Sequence, residues 1–556
     1  MASGLFLVSA AILALQVLHM RILSVQMWYH HAFMVLTMAM LGFAVAGTVT
    51  TLWPKLTRER VAVKLAWCST LFGVSVVAAQ LMVSAIADSG LLAYGVLLLP
   101  YLFGGLVVTI ALASARRVHD RYFVNLIGSA LGAWLFIAAI TPLGAERLLI
   151  LCAALGPVAA LCFHRTSRAA SGTALLALVL AGIGFWRAQS LLEIRIAPDK
   201  RQHLSGELLE QRWTPLSRLD LLRDPEDPGK INIVQDGAAG TYMHSKEGWG
   251  PRSLLDSHTV AYVPHLRRIQ NGGHAPEVLV IGVGGGYELR EAMSLGAERV
   301  LGIEINAEMA RITGEDYASF NGNIFQQPGV SVVVGEGRST LRRLEDRFDI
   351  IVIAGADTYT AGASGAFVLS ESYLYTTEAL ADYVDHLKPG GTLGVLRFYD
   401  KPPRETLRMF GMALLELRRR GIEKPSRHVA VMRSFWGAGT VLSLKPLHPK
   451  DIEFYAHASD DTSGELGALY LPGLEQTMDT PFTRLAAAVD SGAEEGFYED
   501  YVVDVRPVSD DSPFFFNFHH VWDGTEEEDS AFAREFNTRF PVAPSILRAL
   551  LLQASA

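Results

Sequence analysis

Apolar positions fall into two regimes along the chain. Up to residue 188 they come in long runs near 4–25, 31–53, 65–86, 91–114, 122–142 and 148–163, with a weaker run near 172–186. Most of these reach the ~20 residues an α-helix needs to cross the hydrocarbon core of a bilayer. The pattern predicts a multi-pass α-helical membrane domain over residues 1–188, with six or seven spans. The first run has no basic start and no small-residue cleavage site, and further runs follow it, so it reads as a span and not as a cleavable leader. Beyond residue 188 the runs shorten. Residues 189–275 are polar and carry Pro198, Pro215, Pro225 and Pro228. They predict a linker and a small β element, with strands at Ile231–Val234 and Thr241–Met243 around the turn Asp236-Gly237. From Glu277 onward strand and helix patterns alternate. Short continuous apolar runs, as buried parallel strands require, occupy Val278–Ile281, Val300–Ile305, Val330–Val334, Ile350–Ile353 and Thr392–Leu396. Helical patterns fill 287–295, 306–318, 338–345, 371–387 and 403–420. This alternation predicts a doubly wound, Rossmann-like α/β domain over 276–450, with 451–556 as a C-terminal extension packing on that core or on the membrane domain.

Charge divides near the same boundary. Residues up to 190 carry 12 Lys+Arg against 4 Asp+Glu, and the rest carry 36 against 53. A membrane surface fits the basic part. No basic patch with interleaved aromatics occurs, so nucleic acid is excluded as a partner. Lys55, Arg58, Arg60, Lys64, Arg116, Arg117, Arg121, Arg165 and Arg168 fall on one set of alternate loops, and only Arg147 on the other. The positive-inside rule then puts the amino terminus in the cytoplasm. The weak run before Trp186 and Arg187 is about 15 residues long and reads as interfacial or re-entrant. The expected location is therefore the cell inner membrane, multi-pass, with the soluble half in the cytoplasm. Within the membrane part, His19, Arg21, His30 and His31 are candidates for a transport or channel role, because ionisable groups there are costly. Against this, His30 and His31 adjoin Trp28 and Tyr29, as in an interfacial belt, and Arg21 could snorkel. Gly42–Gly47 and Gly128–Gly132 read as helix-packing stretches. Cys68, Cys152 and Cys162 have neither metal nor redox spacing and read as small core residues. No metal site is expected.

Candidate chemistry concentrates at the ends of the predicted strands. The first runs into Gly282-Val283-Gly284-Gly285-Gly286, a turn that lets backbone approach a nucleoside and opens a helix. Glu304 ends the second strand about 20 residues later, where a carboxylate can accept both ribose hydroxyls. Glu336-Gly337 follows the third strand, beside the expected place of the base, although a helix-start acid there would also suit the dipole. Around the carboxyl edge lie Asp357, Thr358, Tyr359, Glu371, Tyr373, Tyr375, Arg397 and Asp400. Asp357 is a site candidate. Glu371 is either that or a cap, Arg397 either binds an acidic group or pairs with a surface acid, and Tyr373 and Tyr375 read as packing. His519 and His520 after the aromatic strip are weak as metal ligands. The strip itself is expected to dock the soluble domain on the membrane domain.

Several segments in order resemble spermidine synthases, the polyamine aminopropyltransferases: "VLVIGVGGGYELRE" (Val278–Glu291), "IEIN", "VVVGEGRSTL" (Val332–Leu341), "FDIIVIAGAD" (Phe348–Asp357) and "LYTTEAL" (Leu374–Leu380). "LQVLHMRILSV" and "DDSPFFFNF" (Asp510–Phe518) look like the membrane-fused members of that family. "LKPGGTLGVL" (Leu387–Leu396) is similar to the corresponding turn of SAM (S-adenosylmethionine) transferases and speaks against NAD. The resemblance implies a SAM-transferase fold and SAM or decarboxylated SAM as cofactor. It implies Gly282, Gly284 and Gly286 as the nucleoside cradle, Glu304 at the ribose, Glu336-Gly337 at the adenine, and Asp357 as the second active-site aspartate. Two departures stand out. The family's first active-site aspartate aligns with Ala354, and its loop aspartate, which grips the amine of decarboxylated SAM, aligns with Gly285. The family's tyrosine-bearing segment has no clear match around Asp256–His265. Glu288 could replace one lost carboxylate, and an uncharged Gly285 suits the carboxylate of full SAM. The expected function is an integral membrane transferase, moving an aminopropyl or methyl group to a non-standard acceptor, either an amine or a membrane-associated molecule. A homodimer is compatible with it. The alternative is a non-catalytic nucleoside or polyamine sensor coupled to a membrane transporter.

Overall fold

The computed structural model describes the chain apart from residues 27–28, 87–89, 165–166, 197–204, 238, 249–259, 272, 357–370, 434–436, 462–466, 475–478 and 519–556. It divides into two compact units, Met1–Leu222 with Val234–Ala238, and Arg223–Ile233 with Ala239–Ala556. A small sheet of four strands in chain order, Glu207–Trp213 (β1), Arg218–Arg223 (β2), Lys230–Gln235 (β3) and Ala239–His244 (β4), precedes the α/β region.

Among the described residues of the first unit, six helices are long and apolar enough to cross a membrane: Ala2–Gln26, Val35–Leu52, Val61–Ala85, Gly95–Ala113, Val118–Phe163 and Arg168–Trp186. The helix Val118–Phe163 has 46 residues and is broken at Gly144, whose φ of 76° lies outside helical space. Its contacts show that the chain reverses there. Gly128 packs on Phe6 and Gly132 on Ala10, running along the first helix, while Phe163 is back against Gly4. Both arms of this hairpin are of spanning length, as the separate runs at 122–142 and 148–163 predict. The missing Cβ at Gly132 lets it sit on the Ala10 carbonyl, the close approach that small residues permit between membrane helices. The segment expected to be interfacial is longer than its apolar run. It starts at Arg168, with Ser167 as N-cap, and forms a continuous helix of 19 residues. His19 and Tyr101 are buried and hydrogen-bonded at 3.0 Å (Nδ1 to Oη). Arg21 does not simply snorkel: it pairs with Asp236 at 3.5 Å and donates to the Leu216 carbonyl. The side chains of His30 and His31 lie outside the described residues, as does Trp28.

The second unit is built on an eight-stranded mixed sheet. Its strands are Glu277–Ile281 (β5), Arg299–Glu304 (β6), Val330–Val334 (β7), Phe348–Ala354 (β8), Leu387–Arg397 (β9), Val429–Arg433 (β10), Ala438–Ser443 (β11) and Gly467–Tyr470 (β12), in the order β12-β10-β11-β9-β8-β5-β6-β7. Strands β7, β6, β5, β8 and β9 are parallel. This is the doubly wound order in which the chain starts in mid-sheet and reverses at the switch point beside β5. Strand β11 runs antiparallel to both β9 and β10, unlike the all-parallel 3-2-1-4-5-6 sheet of dinucleotide-binding folds. The fold is the Rossmann-like one expected of a SAM-transferase.

Both sheet faces are covered, which explains the unbroken apolar runs. Leu279 and Ile281 of β5 and Ile351 and Ile353 of β8 enter one core, with the helices Thr377–Asp385, Glu405–Arg419 and Pro481–Ser491. Their neighbours Val278, Val280, Ile350 and Val352 enter the other. The aromatic strip corrects its expected place. Phe515 and Phe516 are buried within the first of these cores and leave no exposed aromatic surface of their own for docking. Phe515 lies 4.9 Å from the ring of Tyr375, and Arg408 donates to the carbonyls of Phe515, Asp504 and Asn517. His519 and His520 lie outside the described residues.

Candidate active site

The glycine loop joins β5 to the helix Tyr287–Ser294 and is built for contact with backbone. Gly282, Gly284 and Gly286 take φ values of 87°, 51° and 85°, a region that favours glycine. The loop is held on three sides. The amide of Gly284 donates to Glu304 Oε2 at 2.9 Å, the carbonyl of Gly284 accepts from Thr313 Oγ1 at 2.8 Å, and the amide of Gly285 donates to Thr241 Oγ1 at 3.1 Å. Thr313 sits in a π-helical turn, Ile312–Asp316, that continues the helix Ala307–Arg311. Such turns recur at functional sites.

Glu304 ends β6, almost buried, and its second oxygen accepts from the amide of Asn306 at 2.8 Å. Burial raises the carboxyl above its ordinary range, although the Asn306 and Gly284 amides oppose that shift. The amides of Val283 and Ile305 oppose it as well, so backbone surrounds this carboxylate at the mouth of the loop. Glu304 and the glycines are thus brought together. Glu336 stands at the end of β7 as the N-cap of the helix Gly337–Leu341, accepting from the amides of Arg338 (3.0 Å) and Ser339 (2.7 Å). Burial alone would raise its carboxyl, but Ser339 and Arg338 outweigh it and hold it below the usual range. Gly337 is buried against Ile281, where a Cβ would not fit. Exposed Ile305, Val333 and Val334 offer apolar surface on this edge of the sheet.

Glu288 lies buried in the first turn of the helix that follows the loop. Together with Glu291 it raises the Tyr262 hydroxyl, after burial itself as the larger cause. Asp357, Thr358 and Tyr359 lie outside the described residues, as does the stretch from Asp256 to Thr259. At the end of β8 the described chain offers Ala354, with no carboxylate of its own.

Other candidates resolve into structure. Arg397 is 2% exposed, and the acid it meets is a buried one and not a surface one. It pairs with buried Glu405 (Nε to Oε2, 2.9 Å), donates to the Tyr375 hydroxyl at 2.9 Å and lies over that ring. Glu371 is not a helix start, because that helix begins at Thr377 with Thr376 as its cap. It accepts from the hydroxyl of exposed Tyr373 at 3.1 Å. Asp400 pairs with Arg404 at 2.8 Å.

Strand β4 is the part of the site that sequence reasoning left without a role. It lies across the glycine loop. A Cβ on Gly285 would stand 2.9 Å from the Met243 amide nitrogen and closer still to the carbonyl of Tyr242. Both are backbone, so the strand itself would have to move. The position that carries an aspartate in the resembled family can carry no side chain here. Beyond Tyr242, His244 and Tyr287 complete a ring cluster with centroids 5.0–6.1 Å apart. They border a cleft that also includes Gly286, Arg290, Asn321 and Ile324. The signal for β4 was the short strand expected at Thr241–Met243 after the turn Asp236-Gly237, but no local rule says what it would cover.

No family model matches the chain. Polyamine aminopropyltransferase 2 of Pseudomonas aeruginosa is 27% identical over 120 residues, which are 21% of this chain and 32% of that protein. The polyamine aminopropyltransferase of Sodalis glossinidius is 28% identical over 173 residues, 31% of this chain and 56% of that protein. The chain is similar in sequence to the polyamine aminopropyltransferases. It spans about a third to about half of the length of these curated relatives. Among solved structures, spermidine synthase from Thermotoga maritima aligns at 20% identity and a TM-score of 0.32, covering 44% of this chain and 75% of that one. A probable spermidine synthase from Corynebacterium glutamicum aligns at 15% identity and a TM-score of 0.38, covering 52% and 95%.

Proposed function

We propose that this polypeptide is a membrane-embedded transferase similar to spermidine synthase, using SAM or decarboxylated SAM as donor. Its acceptor is an amine or membrane-associated molecule other than the usual polyamine precursor. The observation that carries this reading is Glu304, buried at the end of β6 and tied to the Gly284 amide, so that nucleoside cradle and ribose acceptor form one unit. The residues present fit such a donor. The glycine loop takes the left-handed backbone conformations that favour glycine, and a buried carboxylate stands beside it. When bound, the donor supplies a sulfonium carbon open to attack. The chain's residues would bind and orient the two reactants, which is the larger part of such catalysis, and take the proton the acceptor gives up. Asp357 is the proposed base, with Glu288 the second candidate. Glu336 and Gly337 would border the base of the nucleoside.

Ala354 and the covered Gly285 favour a second reading, in which the second unit senses a nucleoside or polyamine without turnover and controls a membrane transporter. Product formation separates the two. Purified protein given donor and amine acceptors should yield methylthioadenosine or S-adenosylhomocysteine. Binding with no product from any donor would leave only the sensor.

The proposed location is a cell inner membrane, with the second unit in the cytoplasm, where the donor is made. That side requires an even number of crossings, whereas both arms of the Val118–Phe163 hairpin together with Arg168–Trp186 bring the number to seven, so the cytoplasmic side rests on where the donor is made.

A further inference from the structure

Two connections of the first unit bring unpaired positive charge to one place. Helices Val35–Leu52 and Gly95–Ala113 pack closely, Gly42 against Tyr101 and Gly105 against Ala46. Position numbers rise together in these two contacts, so the helices run in the same direction and their ends, Leu52 and Ala113, emerge at one level. The short helix Lys55–Arg58 that follows the first packs on the second. Lys64 donates to the Lys55 carbonyl and folds this connection over itself. It carries Lys55, Arg58, Arg60 and Lys64. The other connection carries Arg116 and Arg117 and enters the helix Val118–Phe163, with Arg121 in its first turn. Against these seven cations the stretches 53–64 and 114–123 hold two acids, Glu59 and Asp120, and Asp120 lies 3.0 Å from His119. Arg58, Arg60, Arg116 and Arg117 are exposed and form no ion pair among the described residues. Exposed Trp53 precedes the cations of the first stretch, and exposed Tyr122 and Phe123 follow those of the second.

Aromatic rings at the ends of spanning helices sit at headgroup depth in a bilayer, which sets these cations beside lipid phosphates. The side on which a connection stays depends on its own charge, whatever its neighbours. Convergence of two connections adds something else. Like charges repel one another until an anion stands between them, and the planar fork of a guanidinium matches phosphate oxygens. We propose that this end of the first unit is a docking surface for anionic phospholipid, whose headgroup phosphates bridge Arg58 and Arg60 to Arg116 and Arg117. The inference rests on the first unit being the membrane part of the proposed transferase, and not on the nucleoside site.

The test uses the full chain purified in a neutral detergent, with cardiolipin, phosphatidylcholine or glycerol phosphate added, and reads the bound species by native mass spectrometry. The wild type should bind cardiolipin at least about ten-fold more tightly than phosphatidylcholine. Glycerol phosphate has the phosphate without acyl chains and should not displace cardiolipin. Arg58→Gln with Arg60→Gln, and separately Arg116→Gln with Arg117→Gln, should each weaken cardiolipin binding about 30-fold, the worth of two cations at an anionic membrane surface. Lys424→Gln with Arg427→Gln removes the same charge from exposed positions of the second unit and should leave cardiolipin binding unchanged. Equal affinity of the wild type for the two lipids would overturn the proposal, and that comparison needs no variant to fold. So would a loss confined to one of the two arginine pairs, an equal loss in the control, or displacement by glycerol phosphate. A chain that alkaline carbonate strips from membranes would refute the membrane reading itself. A chain that stays in the membrane and shows no lipid preference refutes only the docking surface.

Discussion

Adding a single methyl group at Gly285 should cost stability, because that position touches backbone rather than a side chain that can swing away. The Cβ of Gly285→Ala would stand 2.9 Å from the Met243 nitrogen and nearer to the Tyr242 carbonyl. Relief requires β4 to lift or the loop to shift, and the loop is tied to Thr241, Glu304 and Thr313. Overpacking of this kind costs about 1–3 kcal/mol, and the upper part of that range applies where backbone has to move. Gly285→Asp adds a carboxylate next to a carbonyl oxygen and should cost more, about 4 kcal/mol. At about 2 °C per kcal/mol for a unit this large, the unfolding midpoint should fall by about 6 °C for alanine and about 8 °C for aspartate. Thermal unfolding of the purified protein, followed through the loss of methylthioadenosine binding, measures both. Variants as stable as the wild type would refute the close approach of β4 to the loop. Aminopropyl transfer gained by Gly285→Asp would show that the lost aspartate can be restored in place, contrary to this packing.

The remaining expectations draw on other parts of the molecule. Burial raises the Glu304 carboxyl, so its protonated form is favoured in the fold: this stabilises below the ordinary carboxyl range and is lost as pH rises through the raised value. Ribose hydroxyls need the ionised form, so methylthioadenosine affinity should increase through that same window, and a titration from about pH 4 to about pH 8 on the wild type and Glu304→Gln should show the slope only in the former. Arg397→Met strands buried Glu405 and should cost about 3–5 kcal/mol, whereas Arg397→Met with Glu405→Leu should recover most of it, as read by thermal unfolding. Glu336→Ala removes an N-cap and should cost about 1 kcal/mol in the same assay. A loss of methylthioadenosine affinity beyond that loss of stability would support its place at the adenine. With a cysteine at exposed Glu226, an impermeant thiol reagent should label the chain only after cells are opened. Labelling of intact cells would put the second unit outside the cytoplasm.

The central strands were legible because they are buried on both faces, which turns the usual alternation into an apolar run. Strands β5 and β8 start or end within two residues of those runs, and the edge strand β7 coincides with its run although Val333 and Val334 are exposed. The helix expected from residue 371 begins six residues later because Thr376 caps it by accepting from the Ala379 amide at 3.1 Å, and the preceding segment is tied to the C-terminal extension through the Ser372 amide and the Pro513 carbonyl. That pairing is distant in sequence and leaves no local trace. Thr376 and Arg338 also bind Asp510, so the "DDSP" segment is an anchor for the sheet's own helices. An aromatic strip reads alike whether it docks on a neighbour or fills its own core, and only the fold decides. Arg397 shows the same limit, since its partner Glu405 lies past the sheet edge on the next helix. Glu304 and the glycines could be read because a strand, a turn and a second strand place them together in every sheet of this type. The closure of Gly285 by β4 could not, since it depends on how an element before the sheet lies over it.

The claim that most of this account depends on is a nucleoside site made of the glycine loop and Glu304. Its most direct test is calorimetry of methylthioadenosine on the full-length protein, beside Glu304→Ala. The account predicts saturable binding at one site per chain, weakened at least about 100-fold in the variant, as expected when two ribose hydroxyls lose a charged acceptor. Absence of binding by the wild type, or binding that Glu304→Ala leaves unchanged, would contradict it.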